Sequence, residues 1–141
     1  FFGSQASLWD TRVLATDISQ QALAKAQAGV YQLPADMPQQ WLKQYFVKQV
    51  DSTLYTVAPV IRKNVIFRSF NLMDPIKFKL KFDVIFCRNV MIYFNQETRD
   101  ALVSRFCNAL NPNGYLFISH SESLGHNPLF RLVAPSVYQK K

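Results

Sequence analysis

The chain has 141 residues, 16 Lys plus Arg against 9 Asp plus Glu, and a formal net charge of +7. That length suits one domain of about 100–150 residues. Its 49% hydrophobic and 18% charged composition excludes a disordered chain. No apolar run reaches the ~20 residues of a membrane span, and no signal peptide opens the sequence. It starts Phe1-Phe2-Gly3 rather than with Met, which reads as a piece of something longer.

In chain order, Thr11–Asp17 reads as a short buried strand ending in an acid. Ile18 to Ala28 reads as a helix, with Ser19 as N-cap and Gly29 as its stop. Pro34 and Pro38 mark a loop. Gln39 to Val47 reads as a second short helix, with Trp41, Leu42, Tyr45 and Phe46 at helical spacing. Leu54–Val57 and Val60-Ile61 suggest a small hairpin-like element, and Val65–Ser69 a further strand.

Asp83–Cys87 is apolar after its first residue and does not alternate, which predicts a strand buried on both faces. Asn95 caps a helix over Gln96–Leu110, with Ala101, Leu102, Phe106 and Leu110 as its apolar stripe. Asn111-Pro112-Asn113-Gly114 ends it. Tyr115–Ser119 is another buried strand. Phe130–Val133 and Ser136–Tyr138 form an antiparallel pair. Cys87 and Cys107 lie in apolar runs and read as small buried hydrophobes in a reducing, cytoplasmic setting.

Strand–helix alternation around buried strands implies an α/β sheet. Ligands of such sheets bind at the carboxyl ends of the strands. Asp17 stands at one such end, suited to ribose hydroxyls or to an N-cap. Asn71-Leu72 follows another, suited to a base edge or to a turn. After Cys87 come Arg88, Asn89 and Tyr93: a guanidinium that can fork onto a carboxylate, an amide and a phenol. His120-Ser121-Glu122-Ser123 follows the Tyr115 strand. It reads as structural, and His126 is not at zinc-ligand spacing. No G-x-S-x-G elbow, P-loop or other glycine-rich phosphate loop occurs.

Charge is uneven. Residues 41–81 hold eight basic side chains (Lys43, Lys48, Arg62, Lys63, Arg68, Lys77, Lys79, Lys81) against Asp51 and Asp74. This segment suits an anionic partner or a solvated basic face. Without an Arg-rich tract or RNA-binding signature, nucleic acid is not favoured.

Several blocks together carry a family resemblance. They are Cys87-Arg88-Asn89-Val90-Met91-Ile92-Tyr93-Phe94, Ala15-Thr16-Asp17-Ile18-Ser19, Asn71-Leu72, Asn111-Pro112-Asn113-Gly114-Tyr115-Leu116 and Ser119-His120-Ser121-Glu122-Ser123-Leu124. The chain resembles the CheR-type chemotaxis receptor methyltransferases over nearly its whole length. The resemblance implies a Rossmann-like, S-adenosylmethionine-dependent methyltransferase sheet with a small antiparallel insert, here residues 39–63. It implies O-methylation of glutamates on chemoreceptor cytoplasmic helices, with S-adenosylhomocysteine as product. By motif position Asp17 would hold the cofactor ribose, Asn71 and Leu72 would meet the adenine, and Asn89 and Val90 would line its amino-acid end. Arg88 and Tyr93 would face the methyl group and the incoming carboxylate. The insert would contact receptors, and its lack of glycine between Phe46 and Val65 points to recognition without a C-terminal tag.

The chain departs from the family pattern at its start. The first strand with its glycine-containing loop, and the N-terminal helical domain, have no counterpart here. Phe1 to Leu8 matches at best the end of a helix and a loop. An incomplete sheet lacking that central strand should expose strand edges. Three outcomes are expected: direct pairing of the Asp17 and Asp83 strands, self-association through the edges, or a loose fragment. The expectation is therefore a partial catalytic domain over residues 1–141, weak or inactive by itself. A non-catalytic receptor-binding module is the alternative.

Overall fold

The computed structural model describes residues 10–141, which fall into two compact units divided between Asn71 and Leu72. The expected helix end and loop over Phe1 to Leu8 lie outside the described residues.

In the first unit, β1 (Val13–Asp17) leads into α1 (Gln20–Ala28). Ser19 has extended backbone, and its hydroxyl accepts the Ala22 N–H at 3.2 Å, which satisfies one orphan donor of the first turn. Gly29 ends the helix at φ 64°, and its N–H returns to the Lys25 carbonyl. β1 pairs in parallel with β5 (Val65–Ser69), Asp17 opposite Ser69, so both strands finish side by side.

Between α1 and β5 lies a three-stranded antiparallel sheet of β2 (Val30–Gln32), β3 (Phe46–Lys48) and β4 (Leu54–Val57), with β4 in the middle. It begins earlier than the expected 39–63 segment. The helix α2 (Gln39–Tyr45) stops two residues short of Val47, which is strand. Val60-Ile61 is not part of a hairpin. These residues sit in α3 (Pro59–Arg62), where Pro59 occupies the first turn with its φ preset for a helix. The turn from β3 to β4 places Asp51 at φ 51°. A carboxylate residue thus fills the left-handed position that glycine commonly takes.

The second unit is a four-stranded sheet in the order β6-β7-β9-β8. Parallel β6 (Phe82–Phe86) and β7 (Leu110–Phe117) are bridged by α4 (Gln96–Ala109). β9 (Val137–Lys140) runs antiparallel to β7 and to β8 (Phe130–Ala134). Asn95 caps α4 by accepting the Thr98 N–H at 2.9 Å. The helix buries Leu102, Val103, Phe106 and Cys107, and Ala101 faces solvent. Leu102, Val103, Phe106 and Cys107, with Cys87, Met91, Leu110, Leu116, Ile118, Phe130 and Tyr138, make the core. Both cysteines are buried free thiols.

β6 is not buried on both faces among the described residues. Val84 is 42% and Phe86 70% exposed, although the Phe86 ring stacks on Phe117 at 4.7 Å. Val84 and Phe86 point to the same face of the sheet, and among the described residues of this unit no element covers that face there; β6 pairs with β7, and β1 with β5.

Candidate cofactor and substrate site

Each group of expected site residues lies at the carboxyl end of a parallel strand, where ligands of α/β sheets bind. In the first unit, Asp17 is exposed at the end of β1. Its Oδ1 accepts the Ser19 N–H at 2.8 Å. Its Oδ2 has no partner among the described residues, so the carboxylate is both fixed and open. Beside it, the Phe70 N–H donates to the Asp17 carbonyl at 3.1 Å, which carries β5 onward to Asn71. A hollow of ≈ 450 Å³ lined by Gln27, Arg62, Lys63, Val65 and Phe67 opens at the other end of β5 and shares no residue with this group.

In the second unit, Arg88, Asn89, Val90 and Tyr93 occupy one loop after β6. Cys87 continues the strand's line, its N–H donating to the Phe117 carbonyl at 2.8 Å. Burial, then the nearby Glu122 carboxylate, pushes the Cys87 thiol up to about 12, so it stays protonated and packs as a hydrophobe. Asn89 takes a left-handed backbone, φ 58°, which turns the chain sharply off the strand. Met91, only 2% exposed, anchors the loop from beneath. Met91–Tyr93 then forms a single 3₁₀ turn. Val90 and Leu72 are half-buried and pack against the core of this unit.

Arg88 and Tyr93 point outward. Tyr93 is 80% exposed, and neither side chain has a hydrogen-bond or ionic partner among the described residues. A fixed loop thus presents an unpaired guanidinium and an unpaired phenol to solvent.

The loop's bracing comes from residues whose role the sequence reading did not foresee. The Ser119 hydroxyl, on a residue 5% exposed, donates to Asn89 Oδ1 at 2.7 Å. Glu122 Oε1 accepts the Ile92 N–H at 3.0 Å, and Oε2 accepts the Ser119 N–H at 2.8 Å. The Glu122 N–H in turn donates to the Ser119 carbonyl. The Ser-x-x-Glu spacing is half of a capping box, and it is the signal that could have marked the pair.

Two observations test whether S-adenosylmethionine fits. Asp17 offers a carboxylate oxygen to ribose hydroxyls. The Ser119 bond occupies Asn89 Oδ1, which leaves the Asn89 NH2 without a described partner and available to a carboxylate. Both groups keep a polar atom open to a ligand among the described residues.

All eight basic side chains between residues 41 and 81 are exposed. No helix among the described residues is long and apolar enough to cross a membrane.

Strands that end in an acid and in an Arg-Asn loop, with a helix crossing between parallel neighbours, define an α/β domain of the kind that holds a nucleotide-like cofactor. Residues 2–138 match the family model described as CheR methyltransferase, SAM binding domain. The chain belongs to that family, a Rossmann-like methyltransferase fold whose cofactor is S-adenosylmethionine. It is 40% identical over 134 residues to the chemotaxis protein methyltransferase of Borreliella burgdorferi, covering 92% of this chain and 46% of that protein. It is 37% identical over 149 residues to the chemotaxis protein methyltransferase of Escherichia coli, covering 96% and 49%. Chemotaxis protein methyltransferase Cher2 of Pseudomonas putida is 35% identical over 137 residues, with 92% and 50% covered. The chain thus spans about half the length of these curated relatives. Among solved structures, PKMT2 from Rickettsia typhi in complex with AdoHcy aligns at TM-score 0.48 and 19% identity, covering 77% of this chain and 17% of that one.

Proposed function

We propose that the protein carrying this chain methylates glutamate side chains on the cytoplasmic helices of chemoreceptors, working in the cytoplasm. The observation that carries this reading is the outward, unpaired Arg88–Tyr93 pair on a braced loop, in a chain of the CheR family.

Glutamate has a reference pKa near 4.3, so it is already a nucleophilic carboxylate at neutral pH and needs no general base. When bound, S-adenosylmethionine supplies an electrophilic methyl group, and transfer leaves S-adenosylhomocysteine. In the first unit Asp17 would hold the ribose and Asn71 would meet the adenine; in the second, Leu72 would meet the adenine, and Asn89 and Val90 would line the amino-acid end. Arg88 orients the incoming carboxylate through its fork of N–H donors. It positions rather than activates, because too tight an ion pair would blunt the nucleophile. Tyr93 hydrogen-bonds the same carboxylate or shapes the methyl channel. Alignment of this kind contributes several kcal/mol of about 7–11 available from orientation.

The exposed lysines and arginines of residues 41–81 steer glutamate-rich helices by charge complementarity. The three-stranded sheet makes the receptor contact, and Asp51 in place of a glycine in its β3–β4 turn supports recognition that does not use a C-terminal tag.

The test is transfer of a radiolabelled methyl group from S-adenosylmethionine to receptor-bearing membranes. Expected is label on the receptor that alkali releases as methanol, the behaviour of a methyl ester. Alkali-stable label indicates N-methylation and defeats the reading. Receptor binding with no transfer supports a binding module instead.

A further inference from the structure

We propose that Glu122 is a positioning residue for this reaction: its carboxylate fixes the loop that presents Arg88 and Tyr93, while its neighbour Ser119 fixes the face that Asn89 turns to the cofactor. The inference rests on the methyl-transfer reading above.

The geometry separates Glu122 from a catalytic acid or base. Both of its oxygens are engaged by backbone N–H groups, Ile92 at 3.0 Å and Ser119 at 2.8 Å. Ile92 lies in the opening turn of a 3₁₀ segment, where backbone donors have no partner within the helix. Ser119 follows the end of β7, past the last ladder bond of that strand. One carboxylate therefore closes two backbone gaps that are 27 residues apart in sequence, through charge-assisted bonds.

The loop needs such a brace. Asn89 holds a left-handed backbone, which costs free energy for any residue with a side chain although Asn tolerates it better than most. Such conformations persist where the surroundings over-determine them. The surroundings here are the Ser119 hydroxyl on the Asn89 side chain, Met91 in the core and Glu122 on the Ile92 N–H. Ser121 Oγ lies 3.2 Å from Ser119 Oγ and extends the chain of bonds. Arg88 and Tyr93 flank this pinned stretch and make no described polar contact of their own. Their aim toward a ligand is inherited from the backbone that Glu122 holds.

The two braces predict different kinetic signatures. Glu122→Gln keeps the size of the side chain but sets an NH2 against a backbone N–H. A loop displaced by about 1 Å lowers kcat by about 10²-fold, with a smaller loss of cofactor affinity because the Ser119–Asn89 bond remains. Ser119→Ala frees the Asn89 amide and weakens cofactor binding about tenfold, with a smaller fall in kcat than Glu122→Gln.

Both variants are made in the protein carrying this chain. They are assayed with S-adenosylmethionine and receptor membranes, with calorimetry for the cofactor and NMR for the Ile92 and Ser119 amides. Expected are upfield shifts of both amides in Glu122→Gln, with the larger kcat loss in that variant and the larger affinity loss in Ser119→Ala. Wild-type kcat in Glu122→Gln overturns the positioning role, as does a fall that only tracks the folded fraction. Should Glu122→Gln fail to fold, Ser119→Ala decides: unchanged cofactor affinity overturns the brace. Absence of transfer by the wild type defeats the functional reading instead, and unshifted amides in Glu122→Gln then defeat the brace separately.

Discussion

The ammonium of Lys140, near the end of β9, donates to the Cys107 carbonyl at 2.6 Å and to the Leu110 carbonyl at 2.9 Å. A positive charge thus sits at the C-terminal end of α4, where the helix dipole is negative, and shares the Cys107 carbonyl with the Leu110 N–H. Replacing Lys140 with Met keeps the stem and removes both bonds. The expected loss is about 1.5–3 kcal/mol, read as a lower denaturation midpoint at unchanged slope.

Asp17→Asn keeps an acceptor for the Ser19 N–H, so α1 stays capped as before. The charge proposed for the ribose is lost. Cofactor affinity is expected to fall about tenfold or more, the size of a hydrogen bond to a charged group. Calorimetry with S-adenosylhomocysteine reads it directly, and wild-type affinity would remove Asp17 from the site.

Arg88→Ala deletes an exposed side chain that supports nothing else among the described residues. Stability should stay within ~0.5 kcal/mol of wild type, while methyl transfer drops by about 10²-fold. Arg88→Lys should recover little, because an ammonium lacks the planar fork. Full activity in Arg88→Lys would reduce the role of Arg88 to charge alone.

Cys87 makes stability depend on alkaline pH. The folded thiol is pushed up to about 12, whereas an unfolded one titrates near 8.5. Between those values the unfolded chain releases the proton and the folded chain keeps it. The contribution is therefore complete below about pH 8.5 and shrinks as pH rises toward 12. Urea midpoints of wild type minus Cys87→Ala, taken from pH 8 to pH 11, should fall with pH. A flat difference would contradict the burial of this thiol.

What was legible in the sequence was mostly local. Ser19, Gly29 and Asn95 announce helix ends because a cap is a contact within three or four residues. Val30–Gln32 and Phe46–Lys48 were missed as strands because three residues carry no period; pairing with β4 makes them strands. Val60-Ile61 misled because β-branching suggested a strand, while Pro59 had preset a helical turn. The runs holding Asp17 and Arg88 could be placed at strand ends from their neighbours. The work of Glu122 could not, because its Ile92 partner is 30 residues away and only the folded chain brings them together. Burial of Val84 and Phe86 was over-read, since a run of apolar residues does not say whether something packs on both faces of the strand.

Arg62, at the end of α3, donates to the Gln27 carbonyl at 2.7 Å, while the Val57 N–H donates to the Gly29 carbonyl at 2.8 Å. The chain therefore leaves α1 for the three-stranded sheet and returns from it at almost one point, and that point is latched. Those two bonds tie the sheet to the segment between α1 and β5 from both directions, so opening the neck requires breaking both.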